Sequence, residues 1–369
     1  MTTQIQPEER KERSVPKPAF TDAEAGAREF PSSDSRTFTY FTPRKRRATV
    51  YEDVTVDVQP DPERYLSQGW IYGFANGPGG YPKEWTALKS SNWHEFLDPN
   101  EEWEQTIYRN NANNVRQVSQ NLANAKAEHS FERWNRNWIK VVERHIGAWA
   151  HAENGIGLHV YTRAQRDAPT NMINNALAVA AAHKIRFAQD LILYNLDISE
   201  ELDGFDGKAH QVAWQQDPLW QGVRENVERL TGTRDWAEAF FATAIVFEPL
   251  VGELFRSNFV MQCAAVQGDF VTPSLLGVGE ADAHRDERGA RQLFELLLND
   301  PEYGGENRAQ LQEWLATWVP HSIKAARQLQ PVWSQVSEKV VTFEDSLERA
   351  KARFDDLIGG LGLDHQKEL

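Results

Sequence analysis

TNMINNALAVAAAHKIRFAQDLILYNLD, from Thr170 to Asp197, is the stretch whose reading decides the fold. Its apolar side chains fall at Ile173, Leu177, Ala180, Phe187, Leu191 and Tyr194. Steps of three, four and seven keep them on one side of an α-helix of roughly seven turns. Such a stripe is buried only against other helices, so the stretch predicts the inner helix of a bundle. Lys184 belongs to the same register.

In a helical bundle that holds two metal ions, an inward face carries Glu-x-x-His, because positions i and i+3 project together. The corresponding pair here is Lys184 and Phe187, an ammonium and a phenyl ring. The ten histidines are His94, His129, His145, His151, His159, His183, His210, His284, His321 and His365, and none has Asp or Glu three residues before it. The reverse spacing, His129/Glu132, His284/Glu287 and His365/Glu368, lies in polar text that reads as solvated pairs. His-Glu-x-x-His, cysteine-based zinc patterns and the Gly-x-Ser-x-Gly elbow are all missing. Two carboxylates remain, Glu153 on a helix near His145 and His151, and Glu248 inside an apolar run. A lone buried carboxylate costs roughly several kcal/mol, so each needs a partner. Pairing is expected, with Lys184 as a cation available to either; metal ligation is the competing solution.

The chain has 369 residues, 40% of them hydrophobic, with thirteen Trp, eighteen Phe and a formal net charge of −14. That is enough apolar material for a large core, and the aromatics suit helix–helix and subunit interfaces alike. The acidic balance opposes a general nucleic-acid binder, which needs clustered cations. The single Cys263 cannot close an internal disulfide, and the first residues, MTTQIQPEERKERS, hold no apolar core of a secretory signal; both lead to the expectation of a cytoplasmic protein. The most apolar stretch, Phe240 to Val266, is interrupted by Glu248, Glu253 and Arg256, so no membrane span is expected.

Residues 1–90 read as an extended N-terminal arm, rich in proline and without helical period, with Thr49 to Val58 suggesting extended chain. Between Arg36 and Val54 the arm mixes aromatics with a basic cluster. Arg36, Phe38, Tyr40, Phe41, Arg44, Arg46, Arg47 and Tyr51 are expected to dock on another subunit, rings buried and arginines meeting carboxylates. A solvated basic strand or a single-stranded nucleic-acid contact would use the same residues. The glycines at Asn76–Gly80 form a tight loop with no Gly-Lys-Ser/Thr after them, and Gly155 with Gly157 indicates close helix packing, not a dinucleotide loop. Helices are expected over Glu101–Lys126, Phe131–Ala164, Thr170–Asp197, from Asp217-Pro218, from Asp235 with Glu238 towards Val266, over Thr272–Leu298, Asn307–Gln330 and Thr342–Leu357. Pro320 is expected to bend or break its helix and Gly359-Gly360 to stop the last one. The class is all-α, with the helical domain over residues 91–369.

With the helices placed, the chain resembles the small (β) hydroxylase subunits of bacterial multicomponent soluble di-iron monooxygenases, which act on propane, methane, toluene and phenol, the propane-oxidising members being most similar. The resemblance rests on TPRKRRATVYEDVT (Thr42–Thr55), WHEFLDP (Trp93–Pro99), IYRNN (Ile107–Asn111), DPLWQGVRE (Asp217–Glu225), DWAEAF (Asp235–Phe240) and NRAQLQEWLATWVP (Asn307–Pro320), whose order and spacing are specific together. It implies a ferritin-like bundle in both subunits, with the di-iron centre in the large one only. On this sequence the vacated ligand pairs would be Lys184/Phe187 and Asp282/Arg285. It further implies a large (α) subunit in an α2β2 assembly, a cofactorless coupling protein, and a reductase carrying FAD and a 2Fe-2S cluster that draws electrons from NADH. This chain would bind no cofactor, nucleic acid or membrane. Two other readings compete: a divergent ferritin-like oxidase using Glu153, His151, Glu248 and Asp282, and a stand-alone helical adaptor.

Overall fold

The structure is a computed structural model that describes residues 49–55 and 85–365. The chain divides into Met1–Gly80 and Tyr81–Leu369. In the first part the described element is helix α1, Val50–Thr55. Thr49 N–H donates to Glu52 Oε2 at 2.7 Å and Glu52 N–H donates to Thr49 Oγ1 at 3.2 Å, a capping box that starts a helix where alternation had suggested extended chain. Tyr51 lies in α1 and is buried. Arg36, Phe38, Tyr40, Phe41, Arg44, Arg46 and Arg47 lie outside the described residues, as do Asn76–Gly80.

Every regular element among the described residues is helical. In Tyr81–Leu369 these are α2 (Glu104–Ala127), α3 (136–167), α4 (Asn171–Glu201), α5 (Ala209–Gln216), α6 (Pro218–Gly232), α7 (236–263), α8 (Thr272–Leu298), α9 (Gly304–Gln328), α10 (Gln330–Trp333) and α11 (Phe343–Gly360). The starts follow the local chemistry. Thr170 accepts from Ile173 N–H, Asp217 from Leu219 N–H with Pro218 first in the helix, Asp235 from Ala237 and Glu238 N–H, and Thr342 with Asp345 closes a capping box. Among the differences from expectation, three have a local cause. The helix expected from Phe131 starts at Arg136, because Ser130–Arg133 is a separate 3-10 turn and Asn135 supplies the cap. Pro320 lies inside an unbroken α9. Gly359 and Gly360 are the last two residues of α11, and it is Gly362, two residues beyond, that takes φ +65°. There Leu363 N–H donates to Ile358 O and Gly362 N–H to Gly359 O, a Schellman ending that needs a glycine in the left-handed region.

Helices α3, α4, α7 and α8 form the inner bundle, and α6, α9 and α11 pack around it. Close approach depends on glycine, as the Gly155/Gly157 pair suggested. A Cβ at Gly155 would stand 2.6 Å from Val227 Cγ1 of α6, and one at Gly157 2.8 Å from Ile185 Cγ1 of α4. The core is aromatic: Trp149 stacks on Phe247 and Phe255 with centroids 6.1 and 5.5 Å apart, and Phe259 lies 4.3 Å from Trp333. Two inner helices are not regular. Val142–Ile146 and Ile156–Tyr161 in α3, and Ala242–Gly252 and Arg256–Val260 in α7, are wide π-helical turns. Pro249 lies within the third of these and has no N–H to give the ladder. Among the described residues no helix is long and apolar enough to cross a membrane.

Candidate functional site

One charged side chain from each inner helix, and a second from α7, meet at the centre of the bundle. Glu153 comes from α3, Lys184 from α4, Glu248 and Arg256 from α7, and Glu280 from α8; all five are buried, Lys184 being only 3% exposed. Arg256 ties three carboxylates together, with Nη1 3.0 Å from Glu153 Oε1, Nη2 2.7 Å from Glu248 Oε2 and Nε 2.9 Å from Glu280 Oε1. Lys184 Nζ donates to Glu248 Oε1 and lies 3.1 Å from Glu153 Oε2. Trp149 Nε1–H donates to Glu153 Oε1 at 2.6 Å, and its ring lies under the guanidinium, 5.2 Å from centroid to Cζ.

The electrostatics follow from the count. Three carboxylates face two cations in a dry interior, where charge is tolerated only if paired. Burial pushes the Glu153 carboxyl up, against the opposing pull of Lys184 and Arg256. Burial works on Glu248 as well, but there Arg256 and Lys184 win and hold it down to about 2. The same carboxylates raise Lys184 and Arg256 although burial pulls both down. A proton on Glu153 leaves two negative and two positive charges, a neutral cluster.

A second polar ring adjoins the first and contains the other residues read from the sequence. Asp282 is held by Arg186 and Arg285, and Arg285 Nε lies 3.3 Å from Glu102. His183 Nδ1 bonds Asp286 at 2.8 Å, while its Nε2 stands 3.7 Å from Glu102 and 3.8 Å from Asp282. Asp282 and Arg285 are therefore not in the cluster of Lys184. On α8 the residue that reaches it is Glu280. Phe187 is buried against Gly279, where a Cβ would overlap its ring. The four residues of the oxidase reading do not converge: His151 faces His210 at 2.9 Å, and Asp282 is held in the second ring. Of the reversed pairs, His129 and Glu132 form an exposed contact at 3.3 Å, whereas His284 turns to Glu253 at 3.6 Å.

Metal fits this donor set badly. The positions between the carboxylates are taken by an ammonium and a guanidinium, and no imidazole touches the cluster. Among the described residues no group of three or more His, Cys, Asp or Glu is arranged to hold a metal ion. In the sequence Arg256 stands out only as a charge interrupting the apolar run, and Glu280 not at all. The available signal was Arg256 itself, a cation in an apolar run eight residues after Glu248, in a helix whose wide turns alter the register.

Solved structures share this fold. A phenol hydroxylase chain from Pseudomonas sp. OX1 superposes with a TM-score of 0.73 at 18% identity, covering 86% of this chain and 92% of that one. A toluene 4-monooxygenase chain superposes with a TM-score of 0.66 at 20% identity, covering 78% of this chain and 94% of that one. The fold is thus shared with these two chains. In sequence, the chain is 60% identical over 363 residues to the propane 2-monooxygenase hydroxylase component small subunit of Mycolicibacterium goodii, covering 98% of this chain and 99% of the relative. The protein of that description from Rhodococcus jostii is 60% identical over 361 residues, with 98% of each covered, and the methane monooxygenase component A beta chain of Methylosinus trichosporium is 25% identical over 314, covering 82% of this chain and 79% of that one. The family model for methane, phenol and alkene hydroxylases matches residues 70–301. This chain belongs to that family, as one of its small hydroxylase subunits.

Proposed function

We propose that this chain is the scaffolding subunit of a hydroxylase whose chemistry takes place on a large subunit, in a paired α2β2 assembly that oxidises propane or a similar small hydrocarbon. The observation that carries the reading is the central cluster. In a bundle of this fold the inner helices are the place for metal ligands, and here Lys184 and Arg256 hold the carboxylates as ion pairs. Lys184 with Phe187, and on α8 Asp282 with Arg285, are read as positions where ligands are replaced. The di-iron centre belongs to the large subunit. A reductase with FAD and a 2Fe-2S cluster would pass electrons from NADH, with a coupling protein bound to the hydroxylase and the assembly in the cytoplasm. The arm residues Arg36, Phe38, Tyr40, Phe41, Arg44, Arg46, Arg47 and Tyr51 are assigned to docking on the large subunit.

Co-expression with a large subunit carrying two Glu-x-x-His motifs tests this. The two chains should purify together in equal amounts, with iron in the complex and sub-stoichiometric iron on this chain expressed alone. Stoichiometric iron on the isolated chain, or its recovery as a stable monomer that ignores the large subunit, would overturn the proposal.

A further inference from the structure

Helix α2 is unlike every inner helix. It runs from Glu104 to Ala127, yet Ile107 and Ala125 are its buried residues. It is held to the bundle chiefly at its ends. Near its start Asn175 Nδ2 donates to the Glu102 carbonyl at 2.7 Å and Arg285 lies 3.3 Å from the Glu102 carboxylate. Near its end Asn121 donates to Ser274 Oγ at 2.6 Å and Lys126 Nζ lies 2.8 Å from Asp197.

Along one side of it the exposed Tyr108, Ala112, Val115 and Ser119 and the half-buried Leu122 recur at steps of four and three, the spacing of a helix–helix seam. Tyr108 is 64% exposed and Val115 43%. Large apolar residues alternate with small ones, as in packing where a partner's knobs need holes. Six asparagines within this helix, poor helix formers, leave little intrinsic stability, so its order depends on what packs against it. Charge says what kind. In a chain of net charge −14, the residues from Gln105 to Ala127 include Arg109, Arg116 and Lys126 and no Asp or Glu. Arg109 and Arg116 flank the seam, where charges select the partner. A second copy offers on its own α2 a single carboxylate, Glu104 in the first turn, against two arginines, and an antiparallel pair would bring arginine towards arginine.

We propose that the outer face of α2 is a docking surface for a helix of the large hydroxylase subunit, one that brings apolar knobs to Tyr108, Val115 and Leu122 and carboxylates to Arg109 and Arg116. The assignment rests on the scaffold reading above and adds where the contact is made. In the tagged-large-subunit complex, the double variant Val115→Asp/Arg116→Glu should reduce recovery of this chain at least tenfold, while Leu158→Asp, at an exposed position on α3, leaves it unchanged. Amide exchange along α2 in the wild-type complex should be at least tenfold slower than in the isolated chain. Full recovery of the double variant overturns the proposal. So does protection of α2 that is already complete in the isolated chain, or loss of a homodimer with the large subunit still retained. Failure of the wild-type chain to bind any large subunit would instead defeat the scaffold reading itself.

Discussion

Lys184 is a side chain whose removal the interior tolerates poorly. Its ammonium is the cation that Glu153 and Glu248 share besides Arg256. Lys184→Met keeps the length and deletes the charge, leaving three buried carboxylates with Arg256 as the one cation that bonds them. The expected loss is about 3–5 kcal/mol, read by denaturant unfolding. Unchanged stability would remove the ion pair from the account of this fold. His145 makes a different prediction. Trp220 Nε1–H donates to its Nδ1 at 2.9 Å, so Nδ1 accepts and Nε2–H donates to Gln335 Oε1, also at 2.9 Å. The ring is neutral and buried, and burial pushes its pKa down to about 4 from an ordinary 6.5. The unfolded chain therefore binds the proton first. Stability contributed by His145 is complete above pH 6.5 and is lost as pH falls towards 4, by about 3 kcal/mol in all. A His145→Gln variant, unable to titrate, should show a shallower fall over that interval in unfolding curves. Equal slopes would count against the buried neutral ring.

At the level of elements, legibility followed the range of the physics. Helix starts were readable because caps act within three residues: Asp217, Asp235 and Thr342 accept from the N–H groups that such side chains satisfy. The wide turns of α3 and α7 were not readable, since π-helical hydrogen bonding is imposed by what packs against a helix. Pro249 was the available sign of one of them. Ends depended on one-residue detail: Gly362, not Gly359 or Gly360, takes the left-handed conformation. Contact between α4 and α8 offers a test at this scale. A methyl group on Gly279 would overlap the Phe187 ring, so Gly279→Ala should cost about 1–3 kcal/mol in thermal unfolding. Adding Phe187→Leu should return part of that loss, because residues in contact are not additive. Simple additivity of the two would mean that the helices do not meet as described.

For the whole molecule, the composition excluded more than it identified. An acidic chain with many aromatics and no cysteine pair is compatible with many helical assemblies, and charge opposed only the nucleic-acid reading. The iron distribution expected for the complex belongs to this scale, because it depends on which of two similar bundles carries ligands. By itself the sequence determined an all-α chain, most helix starts and the missing Glu-x-x-His spacing, all of which are local. That Glu153 and Glu248 would need partners was also legible, from the cost of burying charge. Only the tertiary structure decided that Arg256 and Glu280 join Lys184 in one cluster, and that Asp282 and Arg285 belong to a neighbouring ring. Those residues lie on different helices, and which of them meet depends on the rotation of each helix about its axis, fixed by packing and wide turns instead of by neighbours in the chain.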